Sequence, residues 1–600
     1  MTNHRDDVIT PEQAVTLHGL FLERARRTPD TEAYRYFDVP RAQWVSLTWK
    51  QMREQVARWQ AALAKEGLVK GDRVALMLRN CPQWVMFDQA AMSLGLVVVP
   101  LYTVDRAENI AYIVNDAQAK VLLFETAEQW QELSAVRDRM ACVQRFVSLD
   151  EFRNDEPRLV SAVKYLPPAA TLQAPVPCQI GELASIIYTS GTTGKPKGVM
   201  LSHNNMLSNA HAALDTFVVH CDDLFLSFLP LSHTFERTVG YYLAVMTGAT
   251  VAYARSIPLL SEDLQNIKPT ILVSVPRIYE RVYAAISAKL QEGSPLKRKL
   301  FKLAVDTGWA RFLHEQGRGG WQLSFLLWPI LNKLVAQKIL NRLGGRLRTA
   351  VSGGAALAPD ISRMFVGLGL PVVQGYGLTE TSPIVTGNKL ENNFPDSVGQ
   401  PIRGVQVKLG EQNALLVKGP NIMMGYWNND AATRAMIDAG GWLNTGDIAR
   451  ISETGHVYIT GRLKEIIVLA NGEKLPPADM ESAILHDKLF DQAMVFGEGK
   501  PYMVALLVLN PDAWKIFAQE VGVNPDQPES LTDSRVEQQV LQRVAKLIHA
   551  FPGYAKINRV LLLNGPWTID NGLITPKLSL KRNKVVEKFA AEIADLYEGH

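Results

Sequence analysis

An apolar run, Ile186-Ile187-Tyr188, breaks at Thr189 into Ser190-Gly191-Thr192-Thr193-Gly194-Lys195-Pro196-Lys197-Gly198, and resumes at Val199-Met200. Two strands that must be buried are joined here by a loop too polar to follow them into a core. The loop therefore sits at strand ends, with its donors turned to an anion. Gly191, Gly194 and Gly198 permit positive φ and let backbone approach a ligand. Successive N–H groups, the hydroxyls of Thr189, Ser190, Thr192 and Thr193, and the ammonium groups of Lys195 and Lys197 suit phosphate oxygens. The spacing G-x-x-G-K differs from the Walker pattern G-x-x-x-x-G-K-[ST], and Pro196 stops a helix from running on through Lys195.

The flanking chain supplies the sheet. Arg73-Val74-Ala75-Leu76-Met77-Leu78 reads as a buried strand, Cys81 to Leu94 as a helix, and Val97 to Leu101 and Ala119 to Phe124 as further strands. That alternation predicts an α/β fold with doubly wound parallel sheets. Ala33 to Leu47 is strand-like between helical patterns, and residues 150 to 180, rich in Pro, Asp and Glu, read as a surface connection. Ser202 opens a helix to about Phe217, and Leu224 to Leu229 forms a strand ending in Pro230-Leu231-Ser232-His233-Thr234-Phe235-Glu236-Arg237. His233 thus stands at the C-terminal end of a parallel strand, where open α/β sheets bind ligands.

Length and charge limit the possibilities. Six hundred residues require several domains. A net charge of +3 argues against nucleic acid as a partner. Cys81, Cys142, Cys178 and Cys221 lie too far apart for a disulfide framework or a zinc site and fit a reducing cytoplasm. The polar N-terminus, Met1 to Asp7, lacks the apolar segment of a secretory signal. Trp321 to Leu340 is the most membrane-like piece, but Ser324, Pro329, Asn332, Lys333, Gln337 and Lys338 interrupt it, so it is not expected to span a bilayer.

Between Ile278 and Arg346 lies a long helical, basic stretch in which Lys297, Arg298, Lys299, Lys302 and Arg311 suit a solvated face. Its Trp and Leu content would also suit contact with the inner membrane surface, although a helix packed on the protein is the favoured expectation. Beyond it, strands break into Ser352-Gly353-Gly354 and Gln374-Gly375-Tyr376-Gly377-Leu378-Thr379-Glu380, where small residues would let a planar base lie against backbone beside an aromatic ring. Past Gly399 come short strands of a small barrel, then Gly446-Asp447 and Tyr458-Ile459-Thr460-Gly461-Arg462-Leu463-Lys464.

In order and spacing these motifs resemble the adenylate-forming superfamily, closest to bacterial long-chain fatty acid–CoA ligases, over about residues 15 to 595. The resemblance implies a large N-terminal domain, residues 1–461, with a small β-barrel subdomain, and a smaller mobile α+β domain, residues 462–600, hinged near Lys464. It implies ATP, Mg²⁺ and CoA, with a fatty acid as acyl donor. Thr189 to Lys195, with Gly353, Gly375, Gly377 and Thr379, would surround the nucleotide. Tyr376 would stack on adenine, Asp447 would hold the ribose, Arg462 would reach the nucleotide, and Thr189 with Glu380 would hold Mg²⁺. Lys197 would meet charge on the phosphates and His233 would stand at the acyl and thiol entrance. The family lysine four residues after the Thr of a Thr-Pro pair is Ser579 here, so its role falls to Lys577 or Lys581. The alternatives are a fatty acyl-AMP ligase that loads a carrier protein, and a non-catalytic lipid- or nucleotide-binding relative.

Overall fold

The computed structural model describes residues 7–189, 195–463, 467–470, 473–475, 477–549, 551, 555–575 and 579–598. Two large sheets carry the N-terminal part. In the eight-stranded sheet, Arg73–Met77, Val97–Pro100, Ala119–Phe124, Arg145–Ser148, Leu159–Ser161 and Leu183–Thr189 run parallel. Lys197–Ser202 turns back antiparallel on Leu183–Thr189, and Gly425–Tyr426 pairs on its far side. The nine-stranded sheet has a parallel centre of Glu32–Asp38, Thr250–Tyr253, Leu224–Ser227, Ile271–Ser274, Thr349–Ser352 and Val372–Gly377, with antiparallel strands at both edges. One apolar core joins both sheets to the helices Leu17–Arg27, Trp49–Leu63, Pro82–Ser93 and His203–Ala213. The doubly wound expectation holds because these central strands are Val/Ile/Leu runs that only two-sided cover can bury.

Local differences have local causes. Ala33 to Leu47 is a hairpin, Glu32–Asp38 against Gln43–Thr48. The segment expected as a surface connection contributes the edge strand Leu159–Ser161 and the turn of helix Ala162–Tyr165. An edge strand has one neighbour and needs little apolar sequence, so its polar surroundings hid it.

The basic insertion is helical. Pro295–Glu315 is fastened to Pro359–Gly367 through facing glycines: a Cβ on Gly308 would come within 1.8 Å of the Gly367 carbonyl oxygen. Leu323–Leu343 then forms a continuous 21-residue helical segment of 3₁₀, α and π turns, by length and composition apolar enough to cross a membrane. Pro329 does not break it. It falls in the first turn of Trp328–Leu331, where a missing N–H is tolerated.

The barrel subdomain is the four-stranded antiparallel sheet Gln406–Leu409, Ala414–Lys418, Leu443–Ile451 and Val457–Arg462. Beyond it, Phe490–Phe496, Met503–Leu509 and Ile557–Leu563 form a three-stranded sheet with its own cores, covered by Pro477–Ile484, Pro511–Val521 and Ser534–Leu547.

Candidate active site

The expected motifs fall into three groups of contacts, the first of which ties the His233 loop to the strand ends. Asn80, just after Arg73–Met77, donates from Nδ2 to Ser227 Oγ at 2.9 Å and the Leu229 carbonyl at 2.6 Å, and accepts the Leu231 N–H at 2.9 Å. Ser232 Oγ donates to the Leu101 carbonyl at 2.7 Å. The His233 loop is thereby stitched to both sheets. His233 Nδ1 accepts the Phe235 N–H at 3.1 Å, which leaves Nε2 to carry the proton of the neutral ring. Phe235 lies against Gly353, where a Cβ would stand 2.9 Å from the ring.

A second group gathers around Asp447. This residue is 2% exposed and lies in register with Arg462 on the neighbouring strand. Its Oδ1 accepts Arg462 Nε–H at 2.9 Å and its Oδ2 accepts the Tyr376 hydroxyl at 2.5 Å. Burial pushes the Asp447 carboxyl above its ordinary value, although Arg462 and Tyr376 pull the other way. Each oxygen retains a further lone pair, so the carboxylate can accept from two vicinal hydroxyls without releasing either partner. Gly377 also has a local packing task. A Cβ on Gly377 would fall 1.8 Å from the Pro383 carbonyl oxygen, so the antiparallel return of Ile384–Gly387 requires glycine there.

The third group lies at the base of the glycine-rich loop. Thr189 and Lys197 face each other across the hairpin. Lys197 Nζ lies 5.1 Å from the centroid of the Tyr426 ring, whose hydroxyl donates to Glu380 Oε1 at 2.8 Å. Lys195 Nζ lies 5.2 Å from the Tyr112 centroid. Thr379, beside Glu380, is buried. Gly198 owes its place to packing, since a Cβ would come within 2.7 Å of Ile186 Cγ2. It does not adopt the positive φ that glycine would permit. Ser190, Gly191, Thr192, Thr193 and Gly194 lie outside the described residues, as do Lys464 and Lys577.

Mg²⁺ fits this donor set. It binds through one or two carboxylates while keeping water and substrate phosphate as ligands, and Glu380 with Thr189 could provide the protein share. Among the described residues no cluster of three His, Cys, Asp or Glu side chains offers a denser metal site.

Residues 21–427 match the family model described as AMP-binding enzyme, and residues 464–600 match the AMP-binding enzyme C-terminal domain. The chain belongs to the AMP-binding enzyme family. It is 31% identical over 595 residues to the long-chain-fatty-acid–CoA ligase FadD15 of Mycobacterium bovis, covering 96% of each chain. It is 27% identical over 629 residues to the chloroplastic long-chain-fatty-acid–[acyl-carrier-protein] ligase AEE15 of Arabidopsis thaliana, covering 94% of this chain and 84% of that one. The solved Mycobacterium tuberculosis fatty acyl CoA synthetase shares the fold, with a TM-score of 0.63 and 22% identity over 97% of this chain and 99% of that one.

Of the two expected C-terminal lysines, Lys581 lies among the described residues. Ile574 bridges Leu580, the Lys581 N–H donates to the Leu573 carbonyl at 2.8 Å, and the Ser579 N–H donates to Thr575 Oγ1 at 3.2 Å. Lys581 precedes the helix Arg582–Lys588. Upstream, Arg106 donates to the carbonyls of Ile569, at 3.2 Å, and Asp570. Gly572, at φ 76°, makes room for that guanidinium, since a Cβ there would stand 3.0 Å from it. Arg106 opens the helix Ala107–Asp116, which carries Tyr112 beneath Lys195 six residues on, about 9 Å along the axis. One helix thus touches both Lys195 of the glycine-rich loop and the segment leading to the C-terminal lysines.

Sequence reasoning missed Asn80, Arg106 and Tyr426, which act through contacts 46 to 464 residues away and carry no local pattern. It also missed a buried cluster after His233. Glu236–Tyr242 is a π-helical turn, in which Arg237 pairs with Asp88 at 2.5 Å, both fully buried, and Asp88 accepts from Tyr241 and Tyr242. Glu236 beside it is 1% exposed. Gly240 leaves it room, a Cβ there falling 2.3 Å from Oε1, and burial pushes its carboxyl up to about 8. The run Thr-Phe-Glu-Arg, with two charges entering an apolar helix, was the available signal.

Proposed function

We propose that this protein joins a long-chain fatty acid to CoA in two steps with ATP. A carboxylate oxygen of the fatty acid attacks the α-phosphorus, the bond from that phosphorus to the bridging oxygen breaks, and pyrophosphate leaves with the electron pair. The thiol of CoA then attacks the acyl carbon of the adenylate, AMP leaves, and the thiol proton passes to solvent. Such phosphoryl-centre chemistry needs positioning and charge stabilisation more than covalent participation.

The observation that carries the reading is that one strand-to-turn segment holds both Tyr376, which shares Asp447 with Arg462, and Glu380, to which Tyr426 beside Lys197 donates. Asp447 accepts the ribose hydroxyls, and the exposed edge of Tyr376 receives the base. Lys197 and the loop amides stabilise the departing pyrophosphate, which Tyr426 assists by holding Glu380 in place. When bound at Glu380 and Thr189, Mg²⁺ supplies further positive charge to the phosphate oxygens. Lys577 or Lys581 contacts the carboxylate and α-phosphate oxygens. The C-terminal domain, residues 462–600, then turns about Lys464 and opens a path past His233 for the thiol.

The test is CoA-dependent release of AMP across a ladder of fatty acids, run beside a holo acyl-carrier protein. Release with CoA, greatest for long chains, supports the reading. Release only with the carrier assigns the second reading, favoured by the similarity to the acyl-carrier-protein ligase. Release with neither overturns both.

A further inference from the structure

The outer face of Leu323–Leu343 breaks the ordinary pattern of a surface helix. Leu323, Leu326, Leu327, Ile330 and Leu334 recur at helical spacing, and all are exposed, Leu323 at 76% and Leu326 at 68%. With Trp321 at 56%, they form the densest run of large apolar side chains in solvent among the described residues. The opposite face is apolar too, but it is covered: Leu331 and Ala336 are buried, and Ala336 with Trp328, Val335 and Ile339 packs on the core beneath the nine-stranded sheet. A helix apolar on both faces, with one already covered, is built to be covered on the other.

Charge indicates what covers it. From residue 316 to 359 the chain has no Asp or Glu, although acids and bases nearly balance overall at 60 and 63. Lys333, Lys338, Arg342 and Arg346 stand exposed around the apolar face, without an acidic partner among the described residues. The neighbouring helix presents Lys297, Arg298, Lys299 and Lys302 beside exposed Leu296 and Leu303. Of the flanking carboxylates, Asp306 pairs with Arg363 at 2.9 Å, Glu315 with Arg311 at 3.3 Å, and Glu262 and Asp263 with Arg255, while Glu292 and exposed Asp360 lie beyond the two ends of the basic stretch.

We infer that Trp321–Leu334, ringed by these lysines and arginines, is a docking face for an anionic phospholipid surface. Exposed leucines enter the acyl boundary, Trp321 sits at headgroup depth, and the basic rim meets phosphate. A second copy of the chain suits the face less well, since a two-fold contact would bring two acid-free basic rims together. Nor does the segment cross the bilayer, because its inner face and the glycine-locked helix Pro295–Glu315 hold it against the folded domain. A shallow cleft of about 350 Å³, lined by Arg311, His314, Trp321, Phe325, Trp328 and by Glu315, the carboxylate paired with Arg311, opens at the same end of the helix.

The experiment is vesicle flotation of the full chain, with vesicles of phosphatidylcholine alone or mixed with phosphatidylglycerol. The wild type is expected on the mixed vesicles, more weakly at high salt, and far less on phosphatidylcholine. Leu323→Glu/Leu326→Glu/Ile330→Glu should lower the bound fraction about tenfold or more while leaving the circular dichroism spectrum and ATP–pyrophosphate exchange with a water-soluble short-chain acid intact. Lys333→Gln/Lys338→Gln should remove most of the preference for phosphatidylglycerol. Brominated lipid should quench wild-type fluorescence more than that of Trp321→Phe. Equal flotation of the triple variant and wild type would overturn the inference. So would a wild type that binds neither vesicle, or a dimer in sedimentation equilibrium that the triple variant dissociates, which would assign the face to a second copy.

Discussion

The strand ends and the outer face of Leu323–Leu343 depart from an ordinary protein surface in opposite ways. At the strand ends polar groups are withdrawn from water and matched: Asp447 with Tyr376 and Arg462, Glu380 with Tyr426, Asp88 with Arg237. On the helix, apolar groups are left in water and unmatched. Burying a charge costs free energy unless the charge is paired, and exposing an apolar face costs free energy unless something covers it. The first region has largely met its cost within the chain and is ready for a small polar substrate. The second awaits a large apolar one. Substitutions should therefore separate chemistry from surface binding.

The largest effect is expected at Lys197. Lys197→Ala should lower the rate of adenylate formation about 10²- to 10³-fold, the loss typical of one stabilising donor, while vesicle flotation stays at the wild-type level. Rapid-quench measurement of acyl-adenylate checks this, and a fall in both properties would dissolve the contrast between the two regions. Asp447→Asn, which keeps the shape and removes the charge, should raise the KM for ATP about tenfold and leave that for the fatty acid nearly unchanged.

Arg106 tests whether the C-terminal segment must be anchored for the first step. Arg106→Ala removes the donors to the Ile569 and Asp570 carbonyls. It should slow adenylation about tenfold and leave CoA transfer from chemically prepared acyl-adenylate unchanged, a split that general loss of stability would not produce.

The smallest effect on activity, and the clearest on stability, is expected at Glu236, a buried carboxyl three residues after His233 with no paired cation among the described residues. Below about pH 4.5 folded and unfolded chains both hold its proton, and between there and about 8 only the folded chain does. Stability should fall across that window by up to about 1.4 kcal/mol per pH unit and level off above it. Glu236→Gln should remove this slope. Urea midpoints from pH 5 to 9 check it, and parallel curves for the two proteins would show that the carboxyl ionises normally.

Much of this was legible in the sequence because the strands are continuous apolar runs and the motifs follow directly from their ends. Thr189 with Lys197, Gly353 and Tyr376 could be placed from strand ends, whereas Glu380 and Asp447 were reached only through the family resemblance, Asp447 lying inside the strand Leu443–Ile451. Arg462 fell opposite Asp447 because two barrel strands pair in register. What stayed hidden depends on tertiary approach. Tyr426 is a lone aromatic in a two-residue strand, Arg106 reaches more than 460 positions along the chain, and Gly198 and Gly377 are required by neighbours no local pattern reveals. Pro329 misled in the other direction, because it looked like a break and lies where a helical turn begins.

The central claim is that this site adenylates a fatty acid, and fatty-acid-dependent ATP–pyrophosphate exchange in the absence of CoA measures that step alone. The account predicts exchange that requires both the fatty acid and Mg²⁺ and is nearly abolished by Lys197→Ala. No exchange with any fatty acid, or exchange undiminished in Lys197→Ala, would contradict it.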